Sequence, residues 1–260
     1  MILDRIVERK RECLAEAKKR VPLGELRDRE APPPRDFAGA LSRKGHGLIA
    51  EYKKASPSRG TFHNAPDLAT QAALYGRYAD AMSVLTEEDH FSGSLDDLLT
   101  ARRLVELPLL RKDFIIDAYQ VHEARASGAD AVLLIAEALE AGELAGLYSL
   151  VRELGMEALV EVHEEVSLEH VLPLSPPMVG INNRNLKDMT ITRETTKRIA
   201  PLIPEGILIV SESGITSGDH LEELMPYAGA FLIGSAFMAG GDPEACLREF
   251  TAILARSSPR

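Results

Sequence analysis

Glu51 and Lys53 stand at the end of a short apolar run, Gly47-Leu48-Ile49-Ala50. If that run is a strand, side-chain alternation projects both from one face. A carboxylate and an ammonium held together can orient an anion or move a proton, and core packing gives no reason to end a buried strand this way. A loop of Ser, Pro, Gly and further cations, Lys54 to Gly60, follows. The same signature recurs along the chain. Arg111, Lys112 and Asp113 follow Leu109-Leu110, Glu161 and His163 follow Leu159-Val160, and Asn182, Asn183 and Arg184 follow Val179-Gly180-Ile181. Ser211-Glu212-Ser213-Gly214 and Gly234-Ser235 close two later runs. Any one of these can be a solvated strand end. All of them on one face of one fold make a site.

The elements that must carry them are short apolar runs separated by helical segments. The candidate strands are Leu48–Lys53, Ala81–Leu85, Leu109–Lys112, Ala131–Ile135, Ala158–Val162, Met178–Asn182, Ile207–Ser211 and Ala230–Ile233. Most are continuous Val/Ile/Leu runs, the mark of strands buried on both faces in a parallel sheet. Between them Asp67–Tyr78, Ser94–Val105, Ala118–Ser127 and Glu140–Leu154 have helical spacing, with Asp67, Ser94 and Asp117 as N-caps. Strand-helix repeats of this number predict a (β/α)₈ TIM barrel. A doubly wound open sheet is the alternative, but no Gly-x-Gly-x-x-Gly follows the first strand. Ahead of the barrel the spacing predicts a helix through Arg20, stopped by Pro22, and Ala31-Pro32-Pro33-Pro34 reads as an extended connector. The expected organisation is one barrel domain over residues 1–260, with residues 1–46 an N-terminal helical extension packed on it.

Composition narrows the function classes. Of the 260 residues 45% are hydrophobic and 27% charged, ordinary for a globular protein. A net charge of -10 argues against nucleic-acid binding, which draws on a basic surface. It also repels anions at long range, so a phosphate site must be a local cluster of cations and backbone N–H groups. Arg9-Lys10-Arg11 and Lys18-Lys19-Arg20 read as the solvated face of the first helix. Cys13 and Cys246 lack metal spacing, and His46, His63, His90, His122, His170 and His220 form no metal pattern. No metal site is therefore expected. No signal-like segment opens the chain and no run approaches the ~18 apolar residues of a membrane span. A cytoplasmic protein without a membrane partner is the expectation.

In TIM barrels the active site lies at the C-terminal ends of the strands, and the loops after the seventh and eighth strands often hold phosphate. Ser213-Gly214 and Gly234-Ser235 supply small residues there that let a phosphate approach backbone N–H groups, and Ala236-Phe237-Met238-Ala239 reads as the short extra helix.

The residues Glu51–Gly60, Ser83–Glu87, Leu110–Ile115, Leu159–His163, Gly180–Leu186, Ser211–Ile215 and Phe231–Ser235, in this order, resemble indole-3-glycerol phosphate synthase. The resemblance runs over nearly the whole chain and includes the extension before the barrel. It implies conversion of 1-(2-carboxyphenylamino)-1-deoxyribulose 5-phosphate to indole-3-glycerol phosphate, with loss of carbon dioxide and water, in tryptophan biosynthesis and without a cofactor. It implies Lys112 as the donor to the substrate ketone and Glu161 as the base. Lys53 binds the substrate carboxylate and can serve as a second acid, so the assignment of lysines to steps stays open. Glu51 orients Lys53 or pairs with Arg184, Asn182 bonds the intermediate's hydroxyl, and Glu212 tunes charge beside the phosphate site. Ser56, Ser213, Gly214, Gly234 and Ser235 hold polar groups, mainly phosphate, while Phe91 and Phe114 flank the anthranilate ring. Residues Lys54 to Gly60 read as a mobile flap over the site. His163 is expected behind the site rather than as its base.

The sequence departs from the family at Tyr52, expected to pack under the helices, at Glu88-Asp89-His90, and at Ser92, where glycine is usual. Two other readings differ in class. One is a Schiff-base aldolase with Lys112 as nucleophile. The other is a degenerate barrel that only binds phosphorylated metabolites. The chain ends at Arg260 soon after its last expected helix, so a fused second enzyme is not expected, and a monomer with weak association to neighbouring pathway enzymes is.

Overall fold

The computed structural model describes residues 2–43, 45–56, 60–62, 66–238 and 241–256. Eight parallel strands close into a barrel: β1 Gly47–Tyr52, β2 Ala81–Leu85, β3 Leu109–Lys112, β4 Ala131–Ile135, β5 Glu157–Val162, β6 Met178–Asn182, β7 Leu208–Glu212 and β8 Ala230–Ile233. β8 closes on β1 with Gly47 opposite Ala230. Each strand lies within a residue or so of its expected bounds. Lys53 falls just past β1, and Glu212 is the last residue of β7.

Alternation sorts the strand residues into two layers. Leu48, Ala50, Met82, Val84, Val132, Leu134, Val160, Val179 and Phe231 face the surrounding helices. Ile49, Ala81, Leu110, Leu133, Leu159, Val210 and Leu232 fill the barrel interior. Tyr52 joins the outer layer at 6% exposure, so its bulk is spent between strand and helix. The helices begin where polar caps allow. Asp67 accepts from the Thr70 N–H, Ser94 from Asp97 and Asp117 from Tyr119, satisfying donors the first turn leaves open.

The N-terminal extension touches both ends of the barrel. α1, Ile2–Arg20, lays Leu3, Ile6 and Val7 against the interior cluster, and Ile6 reaches the cavity at the C-terminal mouth. α2, Leu23–Asp28, descends beside the Ala118–Ala126 helix through Leu26 and Tyr119. α3, Phe37–Ser42, then inserts Phe37 and Leu41 into the interior cluster near the strand starts, where the Ala38 N–H donates to Glu157 at 2.6 Å.

Candidate active site

Strand register brings the polar ends to one level. Glu51 pairs with Ser83, Leu85 with Lys112, Ile135 with Glu161, Glu161 with Gly180, and Asn182 with Glu212. Side chains at equal height on a closed barrel converge on its axis. They line a cavity of about 440 Å³ at the C-terminal mouth. Every site residue expected from sequence lines it: Glu51, Lys53, Ser56, Phe91, Lys112, Phe114, Glu161, Asn182, Arg184, Glu212, Ser213, Gly214, Gly234 and Ser235.

Lys112 lies between two carboxylates, contacting Glu212 closely and Glu161 at 3.3 Å. Burial lowers its affinity for a proton, but the charges of Glu212, Glu161 and Glu51 more than reverse this and hold it well above the usual lysine range. It stays an ammonium, which disfavours the aldolase reading, since imine formation needs the free amine. Lys112 does not pair with its neighbour Asp113; its ion pairs are with glutamates of two other strands. Asp113 accepts instead from Arg111 at 3.1 Å, Thr86 at 2.7 Å and Lys10 at 2.8 Å.

Lys10 corrects the reading of α1. It is not part of a solvated face; its side chain is only 13% exposed and its ammonium meets Asp113, the residue after β3, at 2.8 Å. The basic cluster expected to face water thus supplies a tie between extension and barrel. Arg9, beside it, does remain exposed, paired with Asp89 at 2.9 Å.

Glu212 lines the cavity beside Ser213 and Gly214 and bonds Lys112. Burial and the neighbouring Glu161 charge raise its carboxyl to about 8, against the opposing pull of Lys112. Glu161 moves the other way: burial raises it, but Lys112, His163 and a hydrogen bond from Asn182 bring it below the ordinary carboxylate range. Two buried carboxyls with environments that push them apart can serve as an acid and a base. Glu51 bonds Lys53 at 2.5 Å, and its backbone carbonyl accepts from the Tyr75 hydroxyl at 3.1 Å.

Two glycines make this packing possible. A Cβ on Gly234 would lie 2.4 Å from Glu51 Oε1, and one on Gly180 would lie 2.3 Å from Glu212 Oε1. Gly234, expected only to admit phosphate, therefore also makes room for a carboxylate from β1. Gly180 has no place in the sequence reading of the site; its signal is a glycine inside an apolar strand run, which marks close approach of another group.

Across the cavity, Ser213 and Gly214 both have positive φ, 65° and 78°, and Ser235–Met238 forms the short helix after β8; Ala239 lies outside the described residues. Successive backbone N–H groups in such a turn form an anion-binding concavity. Ser56 Oγ is buried at the cavity wall without a partner. Ser56 belongs to a small antiparallel pair, Ala55–Ser56 with Gly60–Thr61. The base of the expected flap is tied down. Lys54 bonds Asp97 at 2.6 Å, and the Ala55 N–H donates to the Phe91 carbonyl at 3.1 Å. Pro57, Ser58 and Arg59, its tip, lie outside the described residues, as does His63.

The loop after β2 is organised by Glu87, whose carboxylate accepts from the N–H groups of Asp89, His90 and Phe91. This sets Phe91 into the cavity despite the unusual Glu88-Asp89-His90. Ser92 takes φ of 53°, a conformation that glycine adopts without strain, which gives a physical reason for glycine at this position. Among the described residues no group of three or more His, Cys, Asp or Glu is placed to hold a metal ion. Nor is any helix long and apolar enough to cross a membrane.

Comparison with known proteins follows the same line. The family pattern described as indole-3-glycerol phosphate synthase matches residues 3–250. An indole-3-glycerol phosphate synthase of Lachnospira eligens is 45% identical over 259 residues, covering 96% of this chain and 97% of the relative. One from Laribacter hongkongensis is 46% identical, covering 95% and 97%. A tryptophan biosynthesis protein TrpCF of Vibrio cholerae is 41% identical, with this chain covering 53% of it. Among solved structures, 3-keto-L-gulonate-6-phosphate decarboxylase from Vibrio cholerae superposes with TM-score 0.61 at 16% identity, covering 83% of this chain and all of that one. N-(5'-phosphoribosyl)anthranilate isomerase from Pyrococcus furiosus does so with TM-score 0.59 at 13%, covering 81% and 99%. These two show the barrel fold.

Proposed function

Because this chain belongs to the indole-3-glycerol phosphate synthase family, carboxy-lyases of tryptophan biosynthesis, we propose that the residues of this cavity divide its reaction as follows. The observation that carries the reading is Lys112, held between Glu161 and Glu212 at the mouth of the barrel, where their charges keep it an ammonium.

The substrate is a phosphorylated small molecule with a carboxylate at its aromatic end. Ser213, Gly214, Gly234 and Ser235 hold its phosphate, and Ser56 offers an unspent hydroxyl. Phe91 and Phe114 flank the aromatic ring. Lys53, aimed by Glu51, takes the carboxylate, with Arg184 adding local cationic attraction in an acidic protein.

In ring closure the ring carbon bearing the carboxylate attacks the ketone carbon, and negative charge develops on the ketone oxygen. Lys112 meets that charge. Its proton is tightly held while the Glu161 carboxylate and the Glu212 carboxyl face it, so it stabilises the developing alkoxide first and transfers the proton as the alkoxide forms. Carbon dioxide then leaves and restores the benzene ring. The new hydroxyl departs as water, assisted by a donor and oriented by Asn182, while Glu161 removes a proton from the adjacent carbon to complete the indole.

Residues 1–46 act within the same single domain, with α1 part of the cavity roof. We read the protein as a cytoplasmic monomer, any association with neighbouring pathway enzymes being weak. Incubation of purified protein with the carboxyphenylamino-deoxyribulose phosphate should produce indole fluorescence. Silence from well-folded protein would defeat the assignment of roles, and a lysine adduct trapped by borohydride would restore the aldolase reading.

A further inference from the structure

Glu161 and Glu212 face one lysine, and only one of them can serve as the base. Lys112 alone would choose wrongly. It sits nearer Glu212 than Glu161, and so favours the ionised form of Glu212. Something else must turn the balance.

His163 is that group by position. It follows β5 two residues after Glu161, and it does not line the cavity. Its Nε2 is 3.3 Å from Glu161 Oε1, and its Nδ1 is 3.0 Å from Glu137 Oε2. Glu137 belongs to the short turn Ala136–Ala138 after β4. Its other oxygen accepts from the His163 N–H at 2.8 Å, the Glu164 N–H at 3.2 Å and the Ser167 hydroxyl at 2.6 Å. Four donors therefore hold Glu137 as a carboxylate in one orientation. The Nδ1 side of the imidazole is committed to it, and the Nε2 side is left aimed at Glu161 with no other partner. A histidine pinned in this way keeps ring orientation and protonation fixed for the group in front of it.

We propose that Glu137 and His163 are positioning residues that select Glu161, rather than Glu212, as the ionised member of the buried carboxyl pair. The charged and titratable groups facing His163 are Glu137 from the turn after β4, Glu161 from β5 and Glu212 from β7, with Lys112 reaching it through Glu161. All three that face it directly are carboxyls. Burial disfavours its charge, yet Glu137 and Glu161 outweigh burial and raise it above the usual histidine range. A cation 3.3 Å from Glu161 and in no ion pair with Glu212 breaks the symmetry of the pair. The charge selection rests on the geometry of the resting enzyme; its effect on rate rests on the reading of Glu161 as the base.

The experiment compares resting, substrate-free protein labelled with ¹³C-glutamate by infrared titration of the protonated carboxyl band. Four forms are needed: parent, Glu212→Gln, His163→Gln and the double variant. Gln keeps an N–H for Glu161 but carries no charge. In the parent the band should be present near neutral pH and vanish with Glu212→Gln. In the double variant it should reappear, because the proton now sits on Glu161. Its absence there would overturn the proposal. Glu137→Gln should move the carboxyl titration in the same direction to a lesser degree, and serves where His163→Gln does not fold. In kinetics His163→Gln should shift the acid limb of kcat to higher pH by about one unit, hence about tenfold at pH values on that limb, with KM little changed. A merely structural histidine would lower the folded fraction and leave both the infrared titration and the limb in place, which counts against selection. An infrared shift without any kinetic shift leaves selection standing and sinks Glu161 as base.

Discussion

Two buried ionic clusters sit at opposite ends of the same barrel. At the N-terminal end Asp130, fully buried, accepts from the Leu109 N–H at 2.7 Å, the Arg35 N–H at 2.7 Å and Arg102 through both oxygens at 2.9 Å. Arg35 in turn donates to the carbonyls of Val105 and Leu107, and Arg102 to that of Pro33. Every strong group has a partner, many of them rigid backbone. At the C-terminal end Glu51, Lys53, Lys112, Glu161 and Glu212 have mostly one another, and Ser56 Oγ, His163 Nε2 and Glu212 Oε1 have no hydrogen-bond partner. Burial is the same at both ends; satisfaction is not. The satisfied cluster fastens the extension to the barrel, whereas the unsatisfied one keeps capacity for a substrate.

Substitution should separate the two ends. Lys112→Ala should lower kcat by about 10²–10⁴, since it removes a donor used in the transition state, while the melting transition stays cooperative. Near-normal turnover would mean that the mouth cluster is structural after all. Asp130→Ala should do the reverse. It leaves Arg102 buried without its carboxylate, a cost of about 3–5 kcal/mol, read by chemical denaturation. The kcat of the folded fraction should change little; a large loss would erase the distinction between the ends.

Lys10 gives an intermediate case. It joins α1 to Asp113, a mouth residue that is nonetheless fully partnered by Arg111, Thr86 and the Phe114 N–H. By the rule above it belongs with the fasteners. Lys10→Ala should cost about 1–2 kcal/mol in stability. It should also raise KM by loosening α1 over the cavity, with kcat nearly constant. A fall in kcat at unchanged KM would place Lys10 with the reacting groups instead.

The satisfied end was hardly legible in the sequence, and the unsatisfied end largely was. Leu109–Lys112 or Glu157–Val162 reads as a strand because its apolar run is short and unbroken, and a charge ending such a run is conspicuous. Asp130 precedes its run and has no conspicuous context; its partners at Arg35 and Arg102 are set by tertiary packing alone. Lys10 failed for the same reason. On a helix rich in Lys and Arg, periodicity does not tell the one cation that meets Asp113 from those that meet water. Glu137 escaped because Ala136 separates it from the end of β4, and Gly180 because the carboxylate that needs its missing side chain arrives from another strand.

A last test probes the mouth cluster without substrate or turnover. Glu212 has an ordinary value of 4.5 and is raised to about 8 by burial and by Glu161. The folded protein therefore keeps a proton there that the unfolded chain releases near the ordinary value. The proton-bound group contributes stability that is fully present below about 4.5 and is lost as pH rises through about 8. Glu212→Gln has no such proton to lose. Its melting temperature should gain on the parent's as pH rises through this window and run parallel to it above. Paired melts across the window decide the matter. Curves that stay parallel throughout would mean that Glu212 is ionised in the resting protein, and the mouth would then be as well satisfied as the base of the barrel.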